Sequence, residues 1–128
     1  MTEPYWVLRE TVLALHERLV TEFGGLHGIR DCGLLDSALA RPQHLFAYGR
    51  PSRFDLAASY AFGLVRDHPF LDGNKRIGFA VAVLFLELNG RRFVAPEAEA
   101  ALKTLALAAR VLGEAGYAAW LRKHSHQA

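Results

Sequence analysis

The stretch from Arg66 to Arg76 gathers the groups that phosphate chemistry uses. One helical run ends near Asp67, and a second, strongly apolar run opens near Gly73. Between them lies a tight link carrying His68 and Asp72. The first amides of a helix lack intrahelical acceptors and sit at the positive end of its dipole, so the mouth of the second helix is an anion site suited to phosphate oxygens. Gly73 lets the backbone approach a ligand closely. Lys75 and Arg76 add positive charge at the same spot, and Arg76 can grip a phosphate through two parallel hydrogen bonds. Asp72 offers a hard oxygen ligand, and magnesium is commonly held by one or two carboxylates plus the phosphates themselves. The His68 side chain is an imidazole, the usual general base for an attacking hydroxyl. Base, metal ligand, amide cradle and cationic clamp add up to phosphoryl or nucleotidyl transfer.

Each residue alone also has a plainer reading. A histidine before proline in a turn between helices is often structural. Asp72 could simply cap the next helix. Lys75 and Arg76 could be a solvated pair, and Asn74-Lys75 could be turn chemistry. The conjunction favours chemistry, because these polar groups converge on the start of a helix too apolar to lie on the surface.

The elements that must position this segment are helical. Val12, Leu15, Leu19 and Phe23 recur at helical spacing, which predicts a first helix from Pro4 to Phe23, ended by Gly24-Gly25. A short helix after Gly33 carries Leu34, Leu35, Ala38 and Leu39 and is expected to stop at Pro42. Gln43 to Pro51 then reads as a loop. Ser52 caps a helix running to about Asp67, with Asp55 in its first turn. The apolar helix after Gly73 continues to Leu88, where Asn89-Gly90 ends it. Pro96 opens a helix to about Arg110, and a last one spans about Glu114 to Lys123. Ser125 to Ala128 is expected to fray. No alternating strand stands out, although short extended pieces at Gln43–Tyr48 and Arg92–Val94 stay open. The class is therefore all-α, a single domain over residues 1–128.

Composition sets bounds. With 52% apolar residues, the 128-residue chain can build one core without staples. Its single cysteine, Cys32, allows no internal disulfide, which fits a reducing compartment. Fifteen basic against thirteen acidic residues give a net charge of +2, too little for a large nucleic-acid footprint. The start, Met1 to Trp6, does not read as a signal peptide, and the longest apolar run, Phe79 to Leu86, is too short for a membrane span. A soluble, cytoplasmic protein is expected. His124 and His126 lack a third ligand for a metal site, and His16 and His27 have no evident partners.

The run His68-Pro69-Phe70-Leu71-Asp72-Gly73-Asn74-Lys75-Arg76 closely resembles the signature of the Fic/Doc family, H-P-F-x-[D/E]-G-N-G-R followed by two residues and a second Arg. Lys75 stands where most members have Gly, and Phe79 stands where the second Arg would be; both departures are those of the Doc (death-on-curing) branch. Gly28-Ile29-Arg30-Asp31, Ala38 to Gln43, Leu88-Asn89-Gly90 and Ala95-Pro96-Glu97 extend the similarity over nearly the whole chain.

The resemblance implies a compact bundle of about six helices, with the active loop between two central ones. His68 would accept the proton of a target Ser or Thr hydroxyl. Asp72 would hold Mg2+. Gly73, Asn74 and Lys75 would cradle phosphates, with Arg76 clamping them and Arg66 a further candidate for phosphates or target. Pro42, Gln43, His44, Leu45 and Phe46 would form a flap docking the target by strand-like pairing. Family members of this branch imply a kinase that moves the γ-phosphate of ATP to a translation factor, elongation factor Tu. Lys75 puts bulk and charge where the AMP-transferring pose has neither, and Phe79 removes one of that pose's clamps. AMP transfer and a non-catalytic, antitoxin-binding co-regulator are the alternatives. The sequence has no inhibitory [S/T]-x-x-x-E-[G/N] stretch, which implies restraint by a separate Phd-like antitoxin.

Overall fold

The computed structural model describes residues 2–128. Its elements follow in the order α1 (Arg9–Phe23), α2 (Cys32–Tyr48), α3 (Arg53–Asp67), α4 (Asn74–Leu88), β1 (Arg91–Phe93), α5 (Glu97–Ala108), α6 (Glu114–Lys123) and β2 (Ser125–Gln127). The helical class read from the sequence holds, with a small antiparallel sheet added.

Helix α3 is the hub. Residues Leu56 to Ala61 and Gly63 to Val65 are all buried. A capping box starts it: Ser52 Oγ accepts from the Asp55 amide at 3.1 Å, and Asp55 returns a carboxylate oxygen to the Ser52 amide at 2.8 Å. Two glycines let its neighbours come close. A β-carbon on Gly78 of α4 would meet Val65 Cγ1 at 2.9 Å and the Ala61 carbonyl at 3.2 Å. One on Gly63 would meet the Ala38 backbone of α2 at 3.3 Å. Helix α4, apolar on most faces, lies alongside α3 with Ile77, Val81, Phe85 and Leu86 buried.

Three expected boundaries move. Helix α1 starts at Arg9, five residues after Pro4. The preceding segment is extended: Val7 donates its amide to the buried Tyr60 hydroxyl at 3.1 Å, and Tyr5 exchanges backbone bonds with the Asn89 side chain at 2.8 and 2.9 Å. Trp6 packs on Phe46 and Phe85.

Helix α2 does not stop at Pro42. It runs through that proline to Tyr48. Proline has no amide to give Ala38's carbonyl, so that oxygen faces the α-carbon of Gly63, where no side chain bars its approach. Burial of the Pro42 ring offsets the lost bond.

The tail does not fray either. Residues 125–127 pair with 91–93 in the register Arg91↔Gln127, Arg92↔His126 and Phe93↔Ser125. Ala128 closes the ladder on the Gly90 carbonyl at 3.0 Å. Of the two extended pieces left open by the sequence, the one after Gly90 forms and the one after Pro42 is helix.

Candidate active site

The expected residues meet where α3 hands over to α4. His68 is the C-cap of α3 in the left-handed region, at φ 50 and ψ 54. Gly73, at φ 77, is the N-cap of α4. The four residues 69–72 link the two caps.

Asn74 fixes this loop from inside. Its side chain is 4% exposed. The carbonyl oxygen accepts from the Phe70 amide at 3.0 Å, and the amide nitrogen donates to the Phe70 carbonyl at 3.0 Å. That pair leaves the amide group one orientation. Its remaining hydrogen points at His68 Nδ1, 3.3 Å away. A donor opposite Nδ1 makes that nitrogen the acceptor, so the neutral ring carries its proton on Nε2. His68 is exposed. The side chain of Asn74 thus serves the loop, which leaves its backbone amide for the phosphate cradle expected from the sequence.

The amides of Asn74, Lys75 and Arg76 have no partner among the described residues; the first helical bond across the cap is from Ile77 to the Gly73 carbonyl at 2.9 Å. Lys75 and Arg76 are exposed beside them. The Arg76 guanidinium lies over the Phe23 ring at 4.3 Å, at the end of α1. This stacking keeps the charge at the helix mouth while leaving the planar edge for an anion.

Asp72 is held from two sides. Its backbone carbonyl accepts from Nε2 of His16 at 2.8 Å, and His16, 2% exposed, stacks on Phe70 with centroids 3.7 Å apart. Its carboxylate accepts from the Leu26 amide at 2.6 Å through one oxygen, which leaves the other with no partner among the described residues. No cluster of three or more His, Cys, Asp or Glu side chains forms a ready metal site among those residues. One carboxylate with a spare oxygen beside a phosphate cradle fits a magnesium ion whose remaining ligands are phosphates and water.

The segment joining α1 to α2 borders the loop. Ile29 and Phe70 form an antiparallel bridge, with Arg30 donating to the Pro69 carbonyl at 2.7 Å and Leu71 donating to the Gly28 carbonyl at 3.1 Å. Gly25, at φ 114, lies so close to Asp72 that a β-carbon would sit 3.0 Å from that residue's own. This extended piece, and not the stretch after Pro42, runs beside the active loop. Pro42, Gln43, His44, Leu45 and Phe46 are all within α2, where the helix already uses the backbone and offers no free strand edge. Phe46 packs on Trp6. In this structure those five residues are helical and present no strand edge.

Arg66 and Phe79 each have neighbours within the fold. The Arg66 guanidinium lies 5.3 Å from the Phe62 centroid, and its Nε is 3.4 Å from the Asp67 carboxylate. Phe79 joins an aromatic cluster with Phe93 and Trp120, at centroid distances of 5.7 and 6.3 Å. At this position the side chain packs between α6 and the sheet. His16 and Arg30, which no sequence pattern singled out for the site, are its main supports. The open depressions elsewhere on the molecule, by Asp55 and Arg122 and by Tyr5 and Arg53, share no residue with this loop.

Comparison with known proteins agrees with this geometry. The Fic/DOC family profile matches residues 6–86, the span from the extended N-terminal segment through most of α4. A protein named Toxin Doc from Mycolicibacterium smegmatis (strain ATCC 700084 / mc(2)155) is 46% identical over 76 residues, 57% of this chain and 58% of that protein. A protein named Protein kinase doc from Escherichia phage P1 is 37% identical over 90 residues, covering 69% of this chain and 71% of its own. The chain thus spans somewhat over half of the first relative and about seven-tenths of the second. With the signature loop seated between α3 and α4 as its residues imply, the chain belongs to the Fic/Doc family, in its Doc branch.

Proposed function

We propose that the chain is the toxin of a type II toxin–antitoxin pair and acts in the cytoplasm as a protein kinase. It would move the γ-phosphate of ATP to a Ser or Thr hydroxyl of a translation factor, with elongation factor Tu the candidate, and so stop translation. The names of the two relatives, Toxin Doc and Protein kinase doc, support the toxin and kinase readings. One observation carries the chemistry: exposed His68, its Nδ1 3.3 Å from the side chain of Asn74, caps α3 beside the start of α4, whose first three amides have no partner among the described residues.

In this reading the triphosphate lies on the amides of Asn74, Lys75 and Arg76, with both cationic side chains neutralising its charge. Magnesium, carried with the nucleotide and held by the spare oxygen of Asp72, supplies charge neutralisation at the phosphates. The target hydroxyl oxygen bonds to the γ-phosphorus while the bond from that phosphorus to the β–γ bridging oxygen breaks, releasing ADP. The hydroxyl proton goes to His68 Nε2. Accepting it there requires the ring to hold its other proton on Nδ1, which gives up the contact with Asn74. At 3.3 Å that contact is long, and its loss costs about 1 kcal/mol.

A Phd-like antitoxin would restrain the toxin by covering nearby surface. Leu8, Phe23 and Leu26 on and beside α1 are exposed apolar side chains suited to such burial.

The test is incubation of the purified chain with translation factors and ATP labelled at either the α or the γ phosphate. Transfer of γ label alone is expected, lost in His68→Ala and Asp72→Ala. Transfer of α label would replace phosphorylation with AMP transfer, and retention of neither label would leave an antitoxin-binding protein without catalysis.

A further inference from the structure

The last carbonyls of a helix have no amide to receive. At the end of α3 they belong to the residues around His68, and they are taken up by a residue from a distant part of the chain. Arg30 donates through Nε to the His68 carbonyl at 2.7 Å and through Nη2 to the Asp67 carbonyl at 2.9 Å. Its backbone amide donates to the Pro69 carbonyl at 2.7 Å, joined by the Asp31 amide at 3.0 Å. Three consecutive carbonyls are thus held from one place.

This grip coincides with the strained point of the loop. A left-handed cap is normally given to glycine, and a residue with a β-carbon pays roughly 1–2 kcal/mol to adopt it. His68 adopts it at φ 50. Relaxation of that angle would swing the imidazole off the mouth of α4. Asn74 touches the ring through one 3.3 Å contact, which cannot hold the backbone. The guanidinium fork can, because its two N–H groups reach adjacent carbonyls at once and its charge strengthens both bonds. An ammonium group has no such fork.

We propose that Arg30 is a positioning residue for His68: it locks the left-handed turn that aims Nε2 at the phosphate cradle. Its side chain touches neither Nε2 nor the amides of α4, so it acts on the aim of the base and not on the hold of the nucleotide. The kinetic part of this inference rests on the kinase reading above. The structural part does not.

The experiment compares the native chain with Arg30→Ala and Arg30→Lys. The 15N and 1H shifts of the His68 ring, recorded without substrate, report its tautomer and mobility. Both variants are expected to move these signals toward values averaged between tautomers. With ATP and target, kcat should fall about 10- to 100-fold, the scale of a misaimed catalytic group, while the dissociation constant for ATP stays unchanged. Arg30 is exposed, so guanidinium ion at millimolar concentration should restore part of kcat in Arg30→Ala and none in Arg30→Lys. Native His68 signals in either folded variant would overturn the proposal, as would a loss of kcat matched by equal weakening of ATP binding. If Arg30→Ala does not fold, the ring signals of Arg30→Lys decide alone. A native chain that transfers no phosphate would defeat the kinase reading, yet the ring signals would still settle whether Arg30 aims His68.

Discussion

Asn74 shows how much one buried side chain can carry. Its amide closes the active loop on Phe70 and also faces the ring of His68. Asn74→Ala strands a buried N–H and a buried carbonyl, which should cost about 2–3 kcal/mol in urea unfolding. Phosphate transfer should fall with it, because the loop loses the bonds that bring His68 to α4. Wild-type stability in Asn74→Ala would show that water replaces the amide without loss. The signature itself was legible in the sequence because its parts are neighbours: His68, Asp72, Gly73, Lys75 and Arg76 reach one place with no help from distant contacts. Their supports were not. His16 reaches Asp72 across 56 residues and Arg30 reaches His68 across 38. A histidine on an amphipathic stripe and an arginine in a turn carry no local mark of such partners.

Helix positions were read well where periodicity and caps agreed, as for α3, α4 and α6, whose ends fell within about a residue of those expected. They were misread where tertiary contacts outweighed local preference. Pro42 signals a stop, but its ring is buried and Gly63 takes the backbone it disturbs. Pro4 signals a start, but Tyr5 and Val7 bond to Asn89 and Tyr60 in extended form. Close approach of helices also sets the site, since α3 ends in His68 and α4 begins with the cradle. Gly78→Ala tests this. The added methyl meets the stiff, β-branched Val65 and the Ala61 backbone, costing about 1–3 kcal/mol against about 1 kcal/mol gained in helix propensity. Net destabilisation of up to about 2 kcal/mol in thermal or urea unfolding is expected, together with weaker transfer from the separated helix ends. A gain in stability would mean that the two helices part without cost.

On the scale of the whole molecule, two buried tyrosines tie stability to high pH. Burial pushes the hydroxyl of Tyr60 up to about 12, against a hydrogen bond from Val7 that lowers it. Burial does the same to Tyr117, also to about 12, against its bond with Thr104. Each binds its proton more tightly folded than unfolded. Their contribution is full below the unfolded value near pH ~10 and is lost as pH climbs through the folded one. Each loss is on the order of 2–3 kcal/mol. Urea midpoints measured between about pH 9 and about pH 11.5 should therefore fall steadily, and a flat profile would show that the two hydroxyls ionise in place. Among the described residues, no helix is long and apolar enough to cross a membrane.

The turn at Asn89 and Gly90 has a consequence for the path of the chain. Asn89 grips Tyr5, while Gly90 receives the amide of Ala128. Tyr5 and Ala128 are thus moored at adjacent residues, 89 and 90. One tight turn therefore anchors two segments far apart in sequence, away from the junction of α3 and α4.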